Sequence, residues 1–99
     1  MRGVIYHPAA RVDLRRILAY YTKESGSELA AEFFAEFTYS LGQIAARPDS
    51  FIVFKNHLRR VNMRRFPYHL LFEIIDEKAS RILVVKHDHR DPSFVLGRL

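Results

Sequence analysis

The sequence predicts an α+β domain of order β-α-α-β-β-β, a helical hairpin packed on one face of a small twisted antiparallel sheet. Three observations carry that prediction. Two apolar stripes with helical spacing run from Ala10 to Ile44. After Pro48 the spacing becomes strand-like, and the polar run Asp76-Glu77-Lys78-Ala79-Ser80 then separates two apolar segments as a hairpin loop would. The 99 residues fit a single domain, 1–99, with no repeat and no linker.

Val4-Ile5-Tyr6 reads as a short strand, closed by His7-Pro8, where proline suits the first turn of a helix. Ala10, Leu14, Ile17, Leu18 and Tyr21 then form one apolar stripe, with Arg11, Arg15, Arg16 and Lys23 off it. Ser25-Gly26-Ser27 interrupts the pattern, and Ser25 with Glu28 has the spacing of a capping box for a second helix. That helix carries Leu29, Phe33, Phe37, Leu41 and Ile44 on one side, and Glu28, Glu32 and Glu36 as a solvated face. Arg47-Pro48 stops it. A strand through Leu58–Phe66 would put Arg60, Asn62 and Arg64 on one face and Val61 and Met63 on the other. Pro67 marks a turn, Tyr68–Ile75 a central strand, and Arg81–Lys86 the last strand. The core expected from this reading brings Val61, Met63, Tyr68, Leu70, Phe72, Ile82 and Val84 against Leu14, Ile17, Phe33, Phe37 and Leu41.

Charge is distributed unevenly. Residues 1–50 hold six basic and six acidic groups and sum to zero, whereas residues 51–99 hold ten and five and supply the whole net charge of +5. The stretch from Lys55 to His69 carries five Lys or Arg and two His with no carboxylate. A localised positive field of this kind suits a polyanion, either nucleic acid or an acidic protein segment; the plain alternative is a strand edge defended by cations. The absence of cysteine excludes disulfides, thiolate metal sites and a Cys nucleophile. No apolar run approaches the length of a membrane span, so the expectation is a soluble, cytoplasmic protein that takes no part in a membrane. Four scattered glycines exclude a P-loop or dinucleotide fingerprint.

The histidines are the candidates for chemistry. RNA cleavage needs a base for the 2′-hydroxyl, an acid for the leaving oxygen and a cation on the phosphorane. His69, His87 or His89, with Arg60, Arg64 or Arg90, could fill those roles; the alternative is that each histidine only bonds backbone at a strand end. No metal site is expected, since no cysteine or carboxylate completes a ligand set, and no cofactor is expected either. Arg60, Arg64, Arg65, Arg90 and Arg98 are the candidate binding cations.

The chain resembles the RelE/ParE toxins of bacterial type II toxin–antitoxin (plasmid stabilization) modules. The resemblance rests on Ala10-x-x-Asp13-Leu14-x-x-Ile17-x-x-Tyr20 and Leu41-x-x-Ile44-x-x-x-Pro48-x-x-Phe51. It continues through Arg64-Arg65-Phe66-Pro67-Tyr68, Leu70-Leu71-Phe72 and Val84-Val85-x-His87-x-x-Arg90-Asp91-Pro92, so it covers nearly the whole chain in order. It implies a growth-inhibiting toxin neutralised by a cognate antitoxin whose acidic and apolar tail wraps it. RelE-like members cleave mRNA in the ribosomal A site, while ParE-like members poison DNA gyrase and cleave no RNA. RelE-like nucleases carry an Arg after the Tyr that opens the central strand, where this chain has His69. The C-terminal position at which they place a Tyr is Val95 here. Arg-Phe-Pro-Tyr and His-x-x-Arg-Asp-Pro are closer to the ParE-like side, so the resemblance favours a gyrase inhibitor. A ribosome-dependent endoribonuclease using His69, His87, His89 and Arg90 is the alternative, and a non-toxic basic binding module the second.

Overall fold

A computed structural model of the protein describes residues 3–89. Strand β1 (Gly3–Tyr6) leads into helix α1 (Pro8–Ser25), helix α2 (Ser27–Ala46) and a single 3₁₀ turn (Pro48–Ser50). Strands β2 (Val53–Lys55), β3 (Leu58–Asn62), β4 (Tyr68–Ile74) and β5 (Ala79–His87) follow. The α+β architecture and the helical hairpin are those expected from the sequence. The sheet differs in two respects: it has five strands in the order β1-β5-β4-β3-β2, and it is mixed, because β1 runs parallel to β5.

The helix boundaries follow from local chemistry. His7 is the N-cap of α1, its Nδ1 accepting the N–H of Ala9 at 3.0 Å, and Pro8 fills the first helical position. The expected capping box does not form: Ser25 is still inside α1, and α2 has no side-chain cap. Gly26 alone joins the helices, with φ of 94°, a region closed to most side chains. Its N–H bonds back to the carbonyl of Thr22, closing α1 as α2 begins. Asn56, at φ of 54°, makes the β2–β3 turn. Asp76 closes the β4–β5 hairpin by accepting the N–H groups of Lys78 and Ala79.

The main core lies between the hairpin and one face of the sheet. Phe33, Phe37 and Ile44 from α2 and Ile17 from α1 pack on Val61, Leu70, Phe72, Ile82 and Val85, with Leu14, Leu41 and Tyr68 at its margin. Met63 and Phe66 join it from the segment after β3, which leaves the sheet at Asn62 instead of continuing to Phe66. One expected core residue lies elsewhere. The β4–β5 register slips between Leu71 and Phe72, so Leu83 and Val84 occupy the space of one residue. That bulge turns Val84 to the opposite face, into a second cluster with Leu58, Leu71 and Leu83 beneath Phe54.

Candidate functional site

Neighbouring residues on a strand point to opposite faces of the sheet. Tyr68 sits on the helix side, its ring 5.4 Å from Phe33 and 6.2 Å from Tyr21. His69 therefore faces away from the helices, opposite Asn62 on β3 and Lys86 on β5. His87 pairs across from Tyr68 and stacks edge-on with it at 5.2 Å, so it faces the helices, and His89 lies 5.3 Å from it. The candidate acid–base histidines are thus divided: His69 is on one face of the sheet, His87 with His89 on the other.

His69 is 1% exposed. Its Nδ1 lies 2.8 Å from Oδ1 of Asp88, a residue the sequence reading had not singled out, and Arg60 approaches the same carboxylate oxygen at 3.7 Å. Burial pushes the imidazole below its ordinary value, the hydrogen bond to Asp88 pulls the other way, and Arg60 and Lys86 add to the lowering. The neutral ring then donates Nδ1–H to Asp88 and leaves Nε2 as a lone pair, buried and without a partner among the described residues. Around this pair the face carries Leu58, Leu71, Leu83 and Val84. These four are buried, so this part of the face is a second small core.

The basic stretch is dispersed by the fold. Arg59 turns to the helix side and donates to the carbonyls of Asp49 and Phe51. Arg60 lies over the Phe54 ring and donates to Asn62. His57 meets Glu73 at 3.1 Å, and the same glutamate reaches Arg81 at 3.4 Å. Arg64 and Arg65 sit in the segment before β4, where both backbone N–H groups donate to the Glu36 carboxylate and the Arg65 guanidinium meets Glu32 at 3.1 Å. Glu32 and Glu36, expected to be merely solvated, hold this loop. Arg90 and Arg98 lie outside the described residues.

Two concavities flank the sheet. A groove of about 660 Å³ runs between α2 and the segment after β3, with Tyr39, Phe51 and Val61 on its walls and Arg47, Arg64 and Arg65 on its rim. A cleft of about 280 Å³ lies between α1 and β5, lined in part by Asp13, Arg16, Tyr20, Tyr68 and His87. At its base the Asp13 carboxylate accepts the N–H of Val85. Burial, with Tyr68 beside it, pushes the Tyr21 phenol up to about 12, so this phenol stays uncharged. Among the described residues no cluster of three or more His, Asp or Glu is arranged to hold a metal ion, and no helix is long and apolar enough to cross a membrane.

A helical hairpin on a mixed five-stranded sheet is the architecture of the RelE and ParE toxins. A chain of the chromosomal ParDE toxin–antitoxin system from P. aeruginosa superposes with a TM-score of 0.74 at 18% identity, over 88% of this chain and 96% of that one. Two structures of E. coli RelE are similar at TM-scores of 0.65 and 0.62. The first, a mutant in the free state, is 16% identical over 98% of this chain and 92% of its own. The second, the isolated toxin, is 15% identical over 98% and 95%. Comparison with curated proteins finds no match. The family described as "ParE toxin of type II toxin-antitoxin system, parDE" matches residues 4–92, and the chain belongs to that family.

Proposed function

We propose that this ParE-family toxin arrests growth by acting on DNA gyrase, and that a cognate antitoxin neutralises it by seating an acidic and apolar segment in the groove beside α2. The observation that carries the choice of target is the burial of His69, which stands where RelE-like nucleases carry an Arg and is closed to a substrate and separated from His87 and His89. General acid–base cleavage requires both groups within hydrogen-bond reach of one reacting phosphodiester. His69 is sealed from solvent and tied to Asp88, whose carboxylate would repel a phosphate, while His87 and His89 lie across the sheet. An inhibitor that acts by binding gyrase needs no proton transfer of its own, so this arrangement favours it over the ribosome-dependent nuclease.

The antitoxin reading draws on charge and shape. The groove offers apolar walls under a cationic rim, which matches a segment that is acidic on one side and apolar on the other. Strand β2 covers β3 only up to Arg60, whose N–H bonds to Ile52, so Val61 and Asn62 remain at the groove wall. A segment leaving the groove there reaches Arg60 and Phe54 on the far face of the sheet.

Inducing the chain without an antitoxin, then measuring DNA breakage and message integrity side by side, tests the target. DNA breaks that disappear in a host with toxin-resistant gyrase, with messages intact, are expected. Cleavage of ribosome-bound message by the purified protein, with intact DNA in induced cells, would reverse the choice.

A further inference from the structure

The charge balance of the first fifty residues conceals a separation in space. Helix α2 carries its glutamates toward the Arg64–Arg65 loop, which consumes Glu32 and Glu36. The one carboxylate in the middle of α1, Asp13, is buried and accepts from Val85. Arg11, Arg15, Arg16 and Lys23 are left on the exposed side of α1, and none forms an ion pair with a described carboxylate. Arg11 is steadied against the Tyr6 ring at 5.0 Å. At about 100° per residue, Arg11 and Arg15 flank one side of a ridge formed by Val12 and Ala19, and Arg16 and Lys23 flank the other. Arg16 also lines the cleft that holds His87, with Tyr20 exposed beside it.

We infer that the outer face of α1 binds a nucleic-acid phosphate backbone. Guanidinium groups pair with phosphate oxygens in a planar, bidentate manner, and two rows of cations on one helix suit two rows of phosphates. The inference concerns contacts to the phosphate backbone, which position a protein on nucleic acid and carry no sequence information by themselves. An acidic protein segment is the poorer fit here, because such a segment needs an apolar trough. That trough lies beside α2, whereas the centre of the α1 face offers only Val12 and Ala19. The inference stands apart from the gyrase reading, and its test requires neither gyrase nor antitoxin.

The experiment uses purified full-length toxin, a fluorescent 20-base-pair DNA duplex, a single-stranded RNA and a poly-glutamate chain, titrated across salt concentrations. Two variants of equal net charge are compared: Arg11→Ala/Arg15→Ala/Arg16→Ala on α1, and Arg47→Ala/Arg64→Ala/Arg65→Ala beside α2. Loss of three phosphate contacts should flatten the slope of log affinity against log salt by about 2.7 in the first variant on the duplex, and by well under one in the second. Alanine favours an exposed helix, so the first variant should fold, and circular dichroism checks that. The single changes Arg11→Gln, Arg15→Gln and Arg16→Gln should each flatten the slope by about 0.9. Preference for the duplex or for the RNA identifies which backbone is bound, and either upholds phosphodiester recognition. Equal losses in the two triple variants, unchanged binding by the α1 variant, or poly-glutamate bound as tightly as the duplex would overturn the inference.

Discussion

The Asp13 carboxylate accepts the backbone N–H of Val85 at 3.1 Å, across seventy-two residues of sequence and the whole helix–sheet interface. The bond has a structural cause. Strand β1 pairs with β5 only from Ala79 to Ile82, so the edge of β5 beyond that point is not covered by β1. A buried N–H without an acceptor is costly, and the carboxylate of α1 supplies one while fixing the helix against the sheet.

Asp13→Ala should therefore destabilise the domain by about 1–3 kcal/mol, the usual cost of leaving a buried polar group unsatisfied. Asp13→Asn keeps a carbonyl acceptor in the same place and should cost clearly less. Urea unfolding of the three proteins checks the order, and equal midpoints would mean that the bond contributes nothing to stability.

His69 should make stability depend on pH. Its folded-state value lies below the ordinary 6.5 because burial disfavours the charged ring. The unfolded chain then takes up a proton at a higher pH than the folded chain, so protonation favours unfolding. The contribution is fully present above about 6.5 and is lost as pH falls from there through the folded-state value. Urea midpoints measured from pH 7.5 to pH 5 should fall across this window, and the fall should be smaller in His69→Leu. An identical fall in that variant would place the titration elsewhere.

Glu36 holds the segment before β4 through the N–H groups of Arg64 and Arg65, and that segment carries Phe66 into the core. Glu36→Ala should cost about 1–2 kcal/mol and raise hydrogen exchange at residues 64–66. Glu32→Ala removes only an exposed ion pair and should cost less than about 1 kcal/mol. If both variants exchanged alike at residues 64–66, the backbone anchor would be without effect.

Phe37→Ala and Phe72→Ala test the core itself, since both rings are fully buried between the helices and the sheet. Each should lower stability by about 3–5 kcal/mol, a large share of what a domain this size has. An unchanged melting temperature in either would contradict the packing described.

Most of the fold could be read from sequence because its determinants are periodic. The stripes Ala10–Tyr21 and Leu29–Ile44 give the helices, and eleven of the twelve expected core residues lie in or against the helix-side cluster. Val84 was misplaced because a bulge adds one residue to β5, and alternation carries no mark of it. The 55–69 stretch looked like a single patch because its five Lys or Arg are adjacent in sequence. Its counter-charges, Glu32, Glu36, Glu73 and Asp88, come from other elements. The exposed cations of α1 were hidden for the complementary reason: the acidic residues that balance them on paper face different neighbours in space.

The last prediction concerns neutralisation. An acidic and apolar antitoxin segment lying in the groove beside α2 should associate faster at low than at high ionic strength, because the rim cations Arg47, Arg64 and Arg65 steer it. Arg64→Glu with Arg65→Glu should slow association by roughly ten-fold or more at low salt and much less at high salt. Arg60→Glu should act chiefly on dissociation, because Arg60 is partly covered, already engaged with Asp88, and reached only after the segment has crossed the wall at Val61 and Asn62. Stopped-flow mixing of toxin with its antitoxin separates the two rates. Association rates in the wild type that ignore salt would remove the groove as the docking surface.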